Sequence, residues 1–430
     1  MKSKQIHDPP ILFVGIDWAD QFHVAALLVV QQNSPTEQRT PTESFQQEPA
    51  AIADWVASLK ERFPQHRILI ALEQSRGPLI AGLAGFAELE LYPINPRQLA
   101  SYRDALFPSR SKNDLDDAQL LARFLKEHQQ HLRAWQPDDA RTRQIAELTE
   151  LRRKLVEQRK CAVLQLKSLL KGSFPLLLTL SRRELHNTLT LDLLRRWPQL
   201  RQLKRVRPVT LRKFLAEHGI KNADQQTEFI DAVRSATPLT TDDALVAPQA
   251  LYAQALAEQL RALNIAISQF DERLQQLTVA HPDHDLFRSL PGAGDALVPR
   301  LIAAFGSDRQ RYQNAEEVQC YSGIAPITKQ SGQSKHVNKR LACPKFLRQT
   351  FHEFADHARK WSRWSKAFYK MKRAAGMKHN AAIRALAYKW IRILFRIWKT
   401  REPYCEQRYL AQLTKKNSPL TKFLPTGKNL

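Results

Sequence analysis

The chain has 430 residues, and its 66 Lys and Arg against 42 Asp and Glu give a formal net charge of +24 and a pI near 10.0. This excess of positive charge predicts a polyanionic partner. No apolar run approaches the roughly 18–20 residues that span a bilayer, and the apolar start at 11–16 is too short for a secretion signal. The four cysteines lie far apart, so we expect free thiols in a cytoplasmic protein.

The charge is distributed unevenly along the chain. Residues 1–140 contain 14 basic and 18 acidic residues, a net charge of −4. Residues 141–282 contain 23 and 14, and residues 283–430 contain 29 and 10, for net charges of +9 and +19. We therefore expect carboxylates that serve a metal in the first part and phosphate-binding charge in the last. A basic binding protein without catalytic activity remains an alternative at this point.

The first 140 residues predict alternating strands and helices. ILFVGIDWA and FHVAALLVV predict a β-hairpin that turns at Asp20 and Gln21. An amphipathic helix (PAAIADWVASLKERF), a buried strand (RILIALEQS), a second helix (PLIAGLAGFA) and another strand (LELYPI) follow. Residues 95–125 then look helical, with a loop at FPSRSKN. This order is typical of an RNase H-like α/β domain over residues 1–140.

Residues 141–282 predict a helical, coiled-coil region. The apolar positions from Ala253 to Leu277 step by 3 and 4 without a break, as in a coiled-coil seam. A weaker seam lies at 148–169, so the two segments could pair as an antiparallel hairpin, pair with another subunit, or form ordinary bundle helices. Residues 175–248 give only mixed helical signals.

The last third predicts a mainly α domain over 283–402, followed by a loosely ordered basic tail over 403–430. Residues 329–399 contain 19 basic and 2 acidic residues, interleaved with tryptophans and tyrosines. Aromatic side chains among cations favour a nucleic-acid surface, although at helical spacing most such rings belong to a core. The turn in SLPGAGDALVPRLIAAFG is similar to a helix-hairpin-helix or is a purely structural turn.

Four acidic residues have the pattern of a metal site. Asp17 closes the first strand, Glu73 closes the later buried strand, and Asp114 and Asp117 lie three residues apart on one helix face. Converging carboxylates repel one another unless a cation neutralises them, and Mg2+ prefers such hard oxygen ligands. Each acid alone could be a cap at the end of a strand or helix.

Two stretches of the chain contain motifs of a known protein family. GIDWAD, ALEQS and KNDLDDA resemble the acidic motif in the RuvC-like first domain of the DEDD-type insertion-sequence transposases. LPGAGDALVPRLIAAFG, YSGIAPITKQSG, FLRQTFHEFADHA and GMKHNAAIRALAYKWIRILFRIW resemble their C-terminal transposase domain. The resemblance implies that the four acids bind metal, with Mg2+ as the cofactor, and that Ser331 is the nucleophile.

The neighbouring cations are candidates for holding the scissile DNA phosphate, although solvated loop charges are the simpler interpretation of each. They are Lys329, Lys335, Lys339, Arg340, Lys345 and Arg348.

The sequence thus predicts a prokaryotic insertion-sequence transposase, a site-specific recombinase that cleaves and rejoins donor and target DNA through a phosphoserine intermediate. The resemblance also implies a guide RNA transcribed from the element, which would read sequence by base pairing. We expect a homodimer, and a tetramer on DNA. The alternatives are a RuvC-like junction endonuclease that uses water and a non-catalytic nucleic-acid-binding protein.

Overall fold

The computed structural model of the protein describes residues 9–30, 38–39, 42–73, 77–106, 114–180, 184–332 and 334–424. The chain folds into two compact units, Met1–Pro137 and Asp138–Leu430. None of the helices within these described ranges is long and apolar enough to cross a membrane.

The first unit contains a mixed β-sheet with helices packed against it. Its strands are β1 Ile11–Asp17, β2 Phe22–Val30, β3 Gln38–Arg39, β4 Glu43–Gln46, β5 Arg67–Leu72 and β6 Leu89–Pro93. Its helices are α1 Pro49–Arg62, α2 Pro78–Leu83, α3 Pro96–Leu106 and α4 Asp114–His128, followed by a 3-10 turn at Gln129–His131.

The sheet has the order β3-β2-β1-β5-β6. β4 also pairs directly with β2, along the first part of that strand, whereas β3 pairs with its last part. β1 and β2 are antiparallel, whereas β1, β5 and β6 are parallel. This confirms the predicted hairpin and the alternation that follows it, and it is consistent with an RNase H-like domain. The sequence did not reveal β3 and β4, because both strands are short and polar. The predicted loop at 107–113 lies outside the described residues.

The sheet of the first unit is buried on both faces. Leu12, Val14 and Ile16 of β1 pack in a core with α1 and α2. The alternate residue Phe13 packs in a second core, together with Leu121 of α4. Because side chains alternate along a strand, β1 carries both cores and becomes the central scaffold of the unit.

The second unit is mainly helical. Its first part contains α5 Ala140–Ser173, α6 Leu176–Leu180, α7 Thr188–Arg196, α8 Leu200–Arg205, α9 Pro208–Glu217, α10 Ala223–Ser235 and α11 Asp243–Val279. Its second part contains α12 His284–Arg288, α13 Val298–Phe305, α14 Ala315–Tyr321, β7 Ile327–Ser331, β8 Ser334–Asn338, α15 Lys345–Trp361, α16 Arg363–Ala374, α17 His379–Thr400, α18 Glu406–Lys415 and a 3-10 turn at Pro419–Phe423.

The two long helices α5 and α11 pack antiparallel against each other. Arg159 donates to Asn264 over 3.2 Å, and Arg152 Nη2 donates to Asp271 Oδ2 over 3.0 Å. Six of the eight seam residues of α11 are buried within the chain, among them Leu260, which is fully buried, and Phe270 and Leu277 are partly buried. The seam predicted from sequence is therefore covered by α5, and it gives no support to pairing with a second subunit.

Helices α6–α10 occupy the region for which the sequence gave only mixed signals. They form one apolar cluster with α5 and α11, with Leu191, Leu203, Leu211 and Leu215 at its centre. Short helices of this kind are stabilised by packing rather than by their own propensity.

The C-terminal helices enclose three of the six tryptophans and tyrosines that the sequence places among cations. Trp364, Trp390 and Trp398 are fully buried, whereas Trp361 is 71% exposed. The expectation of a loosely ordered tail is wrong for residues 403–424, because α18 and the last 3-10 turn pack on this core. Trp364 Nε1 donates to Tyr404 Oη over 2.7 Å, and Leu420 is buried.

Candidate active site

Two of the predicted acids stand at the ends of neighbouring parallel strands. Asp17 is the last residue of β1, and Glu73 directly follows β5. The register pairs Ile16 with Leu72, so the residues that follow them, 17 and 73, lie level with each other. Neighbouring strands are about 4.8 Å apart. The sheet therefore presents both carboxylates at one end.

Both acids also belong to the same face of the sheet. Leu69 and Ala71 of β5 pack in the core that contains α4, as does Phe13 of β1. Asp17 and Glu73 continue this odd-numbered alternation. Their side chains therefore lie on the face of the sheet that α4 covers.

Helix α4 brings the other two acids toward this end of β1. A Cβ at Gly15 would overlap the carbonyl oxygen of Ala118 and the amide nitrogen of Ala122. Helix α4 therefore crosses β1 in direct backbone contact at Gly15. Asp114 and Asp117 lie in the first turn of α4, with Asp117 directly before Ala118. The glycine thus allows the helix backbone to touch the strand only two residues before Asp17.

The two aspartates of α4 have different surroundings. Asp114 is exposed. Asp117 is buried, and its Oδ1 accepts a hydrogen bond from Nη2 of Arg103 on α3, whose side chain is only 17% exposed. The charge of Asp117 is therefore balanced by an arginine that the sequence gave no reason to select.

The donor types fit a hard divalent cation, since all four are carboxylates. Within the described ranges, however, no three acidic, histidine or cysteine side chains stand close enough together to hold a metal ion. The fold thus brings the acids to one region in two pairs, and the Asp117 carboxylate is engaged by Arg103. Only Oδ1 of Asp117 takes part in this ion pair.

His23 is a second residue of this region that sequence reasoning missed. Its Nδ1 accepts from the backbone N–H of Ala19 over 3.4 Å, and its Nε2 bonds to Oε1 of Gln47. Burial lowers the pKa of His23 below its ordinary value, so the ring is neutral. The histidine fixes the loop that leaves Asp17. Its partner is 24 residues away in the chain, which no local pattern reveals.

Ser331 lies in the second unit, at the tip of the β7–β8 hairpin. It is exposed and is the last residue of β7, directly before Gly332, whose φ is 55°. The register pairs it with Ser334, whose hydroxyl is hydrogen-bonded to Nε2 of His336 over 2.9 Å. The serine is therefore open to a large substrate, whereas Ser334 already has a partner.

The six predicted phosphate-binding cations differ in their surroundings. Lys329 and Lys335 lie in the strands of the hairpin, while Lys339 and Lys345 are exposed beyond it.

Two of the six cations face inward. Arg340 Nη2 contacts the sulfur of Cys320 at 3.8 Å. The Nε atom of Arg340 and the Nη1 atom of Arg348 are buried, with no acceptor among the described residues. Of the members of this set whose side chains the structure describes, Lys339 and Lys345 are thus the ones open to solvent.

The chain matches two transposase families along its length. Residues 14–175 match the family DEDD_Tnp_IS110, described as "Transposase". Residues 284–370 match the "Transposase IS116/IS110/IS902 family". The first match contains the four acids and the second contains Ser331.

Relatives are found among bacterial insertion-sequence proteins. A Streptomyces coelicolor protein named for the transposase of the IS117 mini-circle is 28% identical over 94% of this chain and 98% of its own length. A protein of the insertion element IS110 from the same organism is 28% identical over 67% of this chain and 71% of its own length. The pilin gene-inverting protein of Moraxella bovis is 31% identical over 20% of this chain and 27% of its own length.

The DEDD family implies a divalent metal. With both transposase domains in order and a relative that spans nearly the whole chain, the protein belongs to the IS110/IS116 family of transposases, which are enzymes that act on DNA.

Proposed function

We propose that this transposase cleaves and rejoins DNA strands through a covalent phosphoserine link formed by Ser331. Mg2+ is the cofactor, and its ligands are Asp17, Glu73, Asp114 and Asp117. The observation that carries the proposal is the placement of Asp17 and Glu73 level on adjacent strands, on the face crossed by the helix that carries the other two acids.

The acids and the serine have separate tasks in this proposal. When bound, Mg2+ supplies the positive charge that stabilises the attacking and leaving oxygens of a phosphodiester. Ser331 Oγ releases its proton to solvent and attacks phosphorus, the bond from phosphorus to a sugar oxygen breaks, and that oxygen takes up a proton from solvent and leaves as a sugar hydroxyl. The Ser331–phosphate bond keeps the energy of the broken ester, so the reverse attack by a sugar hydroxyl rejoins a strand without ATP. The exposed position of Ser331 at a hairpin tip supports this role.

The partners follow from the family resemblance and from charge. Donor and target DNA are the substrates, and an RNA transcribed from the element guides recognition by base pairing. The net charge of +19 in residues 283–430 suits the binding of either polymer. Several strands must be cut in one event, so the protein acts as a dimer or tetramer on DNA, in the bacterial cytoplasm at the nucleoid.

The test for the nucleophile is the covalent protein–DNA adduct. Ser331→Ala should abolish both cleavage of a duplex containing the element's end and the adduct seen in denaturing gels. Ser334→Ala is the matched control, because it removes the directly opposed hydroxyl, and it should retain the adduct. Cleavage by Ser331→Ala that leaves free ends would instead favour an endonuclease that uses water.

A mixing experiment tests whether the acids and the serine act on one phosphate. Asp17→Asn and Ser331→Ala are each inactive in this proposal. If the serine of one subunit works with the acids of another, a mixture of the two variants should regain part of the activity. If the mixture stays inactive, both contributions come from one chain.

Sequencing the nucleic acid that copurifies with the protein tests the guide RNA.

A further inference from the structure

Helices α7–α9 form a second basic region that neither family match covers. The matches end at residue 175 and resume at residue 284. Within this gap, residues 195–213 contain eight Lys and Arg and no Asp or Glu. The region is separate in sequence from the cations around Ser331, so their role does not explain it.

Three of the eight cations have structural partners. Arg195 forms an ion pair with Glu258 at 3.8 Å, and Arg201 forms one with Asp243. Lys204 donates to the carbonyl oxygen of Ala236 over 3.0 Å. These three cations tie α7 and α8 to their neighbours.

The other five cations are exposed and form no ion pair with a carboxylate in the part of the chain that the structure describes; they are Arg196, Arg205, Arg207, Arg212 and Lys213. Glu217, one turn after Lys213, is not paired with it either. We call these five residues the α9 patch. They leave positive charge on this surface that no acidic side chain neutralises.

Packing places Arg196 beside α9, and Arg212 and Lys213 lie on the outer face of this helix. The Arg196 guanidinium lies over the ring of Trp197 at 4.8 Å, and this ring packs edge-on against Phe214 at 5.2 Å. Phe214 is buried on the inner face of α9, directly after Arg212 and Lys213 on the outer face. Val209, on the same outer face, is 74% exposed, so no other element of the described chain covers it.

Helix stability does not account for this charge. Cations stabilise the C-terminal end of a helix, which would suit Arg196 on α7 and Arg205 on α8. Arg207, however, is the N-cap of α9, where Ser, Thr, Asp or Asn is usual, and its side chain makes no capping bond. The first turn of α9 contains no acid. The positive end of α9 therefore has a cation at its N-cap and no acid in its first turn, an arrangement that opposes the helix dipole and that an anionic ligand would relieve.

We propose that the α9 patch binds the sugar–phosphate backbone of a nucleic-acid duplex, as a contact separate from the cations around Ser331. Five exposed cations without a carboxylate partner among the described residues lie on α7, α8 and α9 and at the N-cap of α9, and they suit the binding of several phosphates. The nearby indole of Trp197 is half-buried and covered by Arg196, so it is not free to stack on a base. Recognition is therefore of the backbone and independent of sequence. The proposal requires neither the acids nor Ser331 to be catalytic.

The test compares two variants of the full chain that lose the same charge. The first replaces four members of the patch: Arg205→Gln, Arg207→Gln, Arg212→Gln and Lys213→Gln. The matched control replaces four exposed α5 cations that also lack ion pairs among the described residues: Arg143→Gln, Lys154→Gln, Lys167→Gln and Lys171→Gln. Binding to a fluorescent 20-base-pair RNA duplex, and to the DNA duplex of the same sequence, is measured by anisotropy over a series of salt concentrations.

Each phosphate contact that is lost should lower the slope of log K against log salt by roughly 1. For at least one duplex, we expect the slope of the patch variant to be smaller than that of the wild type by about 2–4 and its binding to be at least tenfold weaker. The slope of the control variant should differ from that of the wild type by less than 1. An effect on RNA alone, on DNA alone or on both identifies the polymer. Equal behaviour of the two variants on both duplexes would overturn the proposal. A third variant with Arg205→Lys, Arg207→Lys and Arg212→Lys keeps the charge and should bind like the wild type. If it binds as weakly as the Gln variant, the patch acts through structure and not through charge, and the proposal is overturned.

Discussion

In the first unit, the candidate acids stand on a sheet whose strands are buried on both faces, whereas in the second unit Ser331 stands on a two-stranded hairpin that projects into solvent. β1 is sandwiched between two cores, and its end is fixed by pairing with β2 and β5. On the hairpin, even the apolar Val337 is 63% exposed. The acids are thus positioned by the fold itself, and the serine has no comparable core to fix it. Substitutions near the acids should alter stability as well as chemistry, and those on the hairpin should alter chemistry alone.

The largest effect should come from removing one carboxylate without changing its size. Asp17→Asn should lower the rate of DNA cleavage by roughly 10³-fold, because a metal-bound charge contributes several kcal/mol to the transition state. Asp116→Asn is the matched control, since Asp116 is exposed and points away from Asp117 by about 100° around α4. Cleavage rates on a labelled duplex measure both variants. Equal rates for Asp17→Asn and the wild type would remove Asp17 from the site.

The next largest effect should come from Gly15, where the scaffold is tightest. Gly15→Ala places a methyl group against the backbone of α4 at Ala118 and Ala122, and backbone atoms cannot move aside as a flexible side chain can. We expect a loss of about 3 kcal/mol in the free energy of unfolding of the first unit. Gly82→Ala, whose nearest neighbour would be Ile52 Cδ1 at 3.8 Å, should be neutral or stabilising.

Amide hydrogen exchange in β1 and α4 reports this loss without interference from the second unit. Slow exchange that is unchanged in Gly15→Ala would mean that α4 does not need this close approach.

Sequence patterns predicted the elements of the first unit well, because β1, β2 and β5 are continuous apolar runs and α4 has a clear apolar face. The spacing of Asp114 and Asp117 likewise follows from helix geometry alone. The hairpin that carries Ser331 escaped prediction, since ITKQSGQSKHVN has no apolar alternation. The partner of α11 was also undecided, because an apolar seam packs equally well on a helix of the same chain or of another.

Contacts between distant residues set the other limit to prediction. Arg103 meets Asp117 across two helices, and His23 meets Gln47 across two strands. No periodicity relates the members of either pair. Such residues surround the candidate acids, so the supporting shell of the site is less predictable than its ligands.

The ion pair of Arg103 offers a smaller effect with a distinct consequence for metal binding. Arg103→Gln leaves the buried Asp117 carboxylate without its cation, and we expect a loss of about 2–3 kcal/mol in the free energy of unfolding. Lys60→Gln breaks the exposed pair with Glu88 and should cost less than about 1 kcal/mol. Denaturant titrations measure both variants.

A metal titration by calorimetry, without DNA, then separates two roles of Arg103. If the arginine competes with Mg2+ for Asp117, Arg103→Gln should bind Mg2+ more tightly than the wild type, and added Mg2+ should restore part of the lost stability. Weaker binding would mean that Arg103 instead holds Asp117 in place for the metal.

The smallest effect should be a gradual dependence of the stability of the first unit on pH, caused by His23. Burial lowers the pKa of this ring in the folded protein, so at pH values below the ordinary value of about 6.5 the unfolded chain takes up a proton that the folded chain does not. The stability that neutral His23 contributes should therefore be complete above pH 7 and decline as the pH falls through 6. A protonated Nδ1 could no longer accept the hydrogen bond from the backbone N–H of Ala19. Amide exchange at residues 17–24 should therefore accelerate first. His23→Gln should remove this part of the pH dependence, while His336→Gln, on the exposed hairpin, should leave it unchanged. If wild type and His23→Gln showed the same acceleration between pH 7 and 5.5, the loop that leaves Asp17 would be held by something other than this histidine.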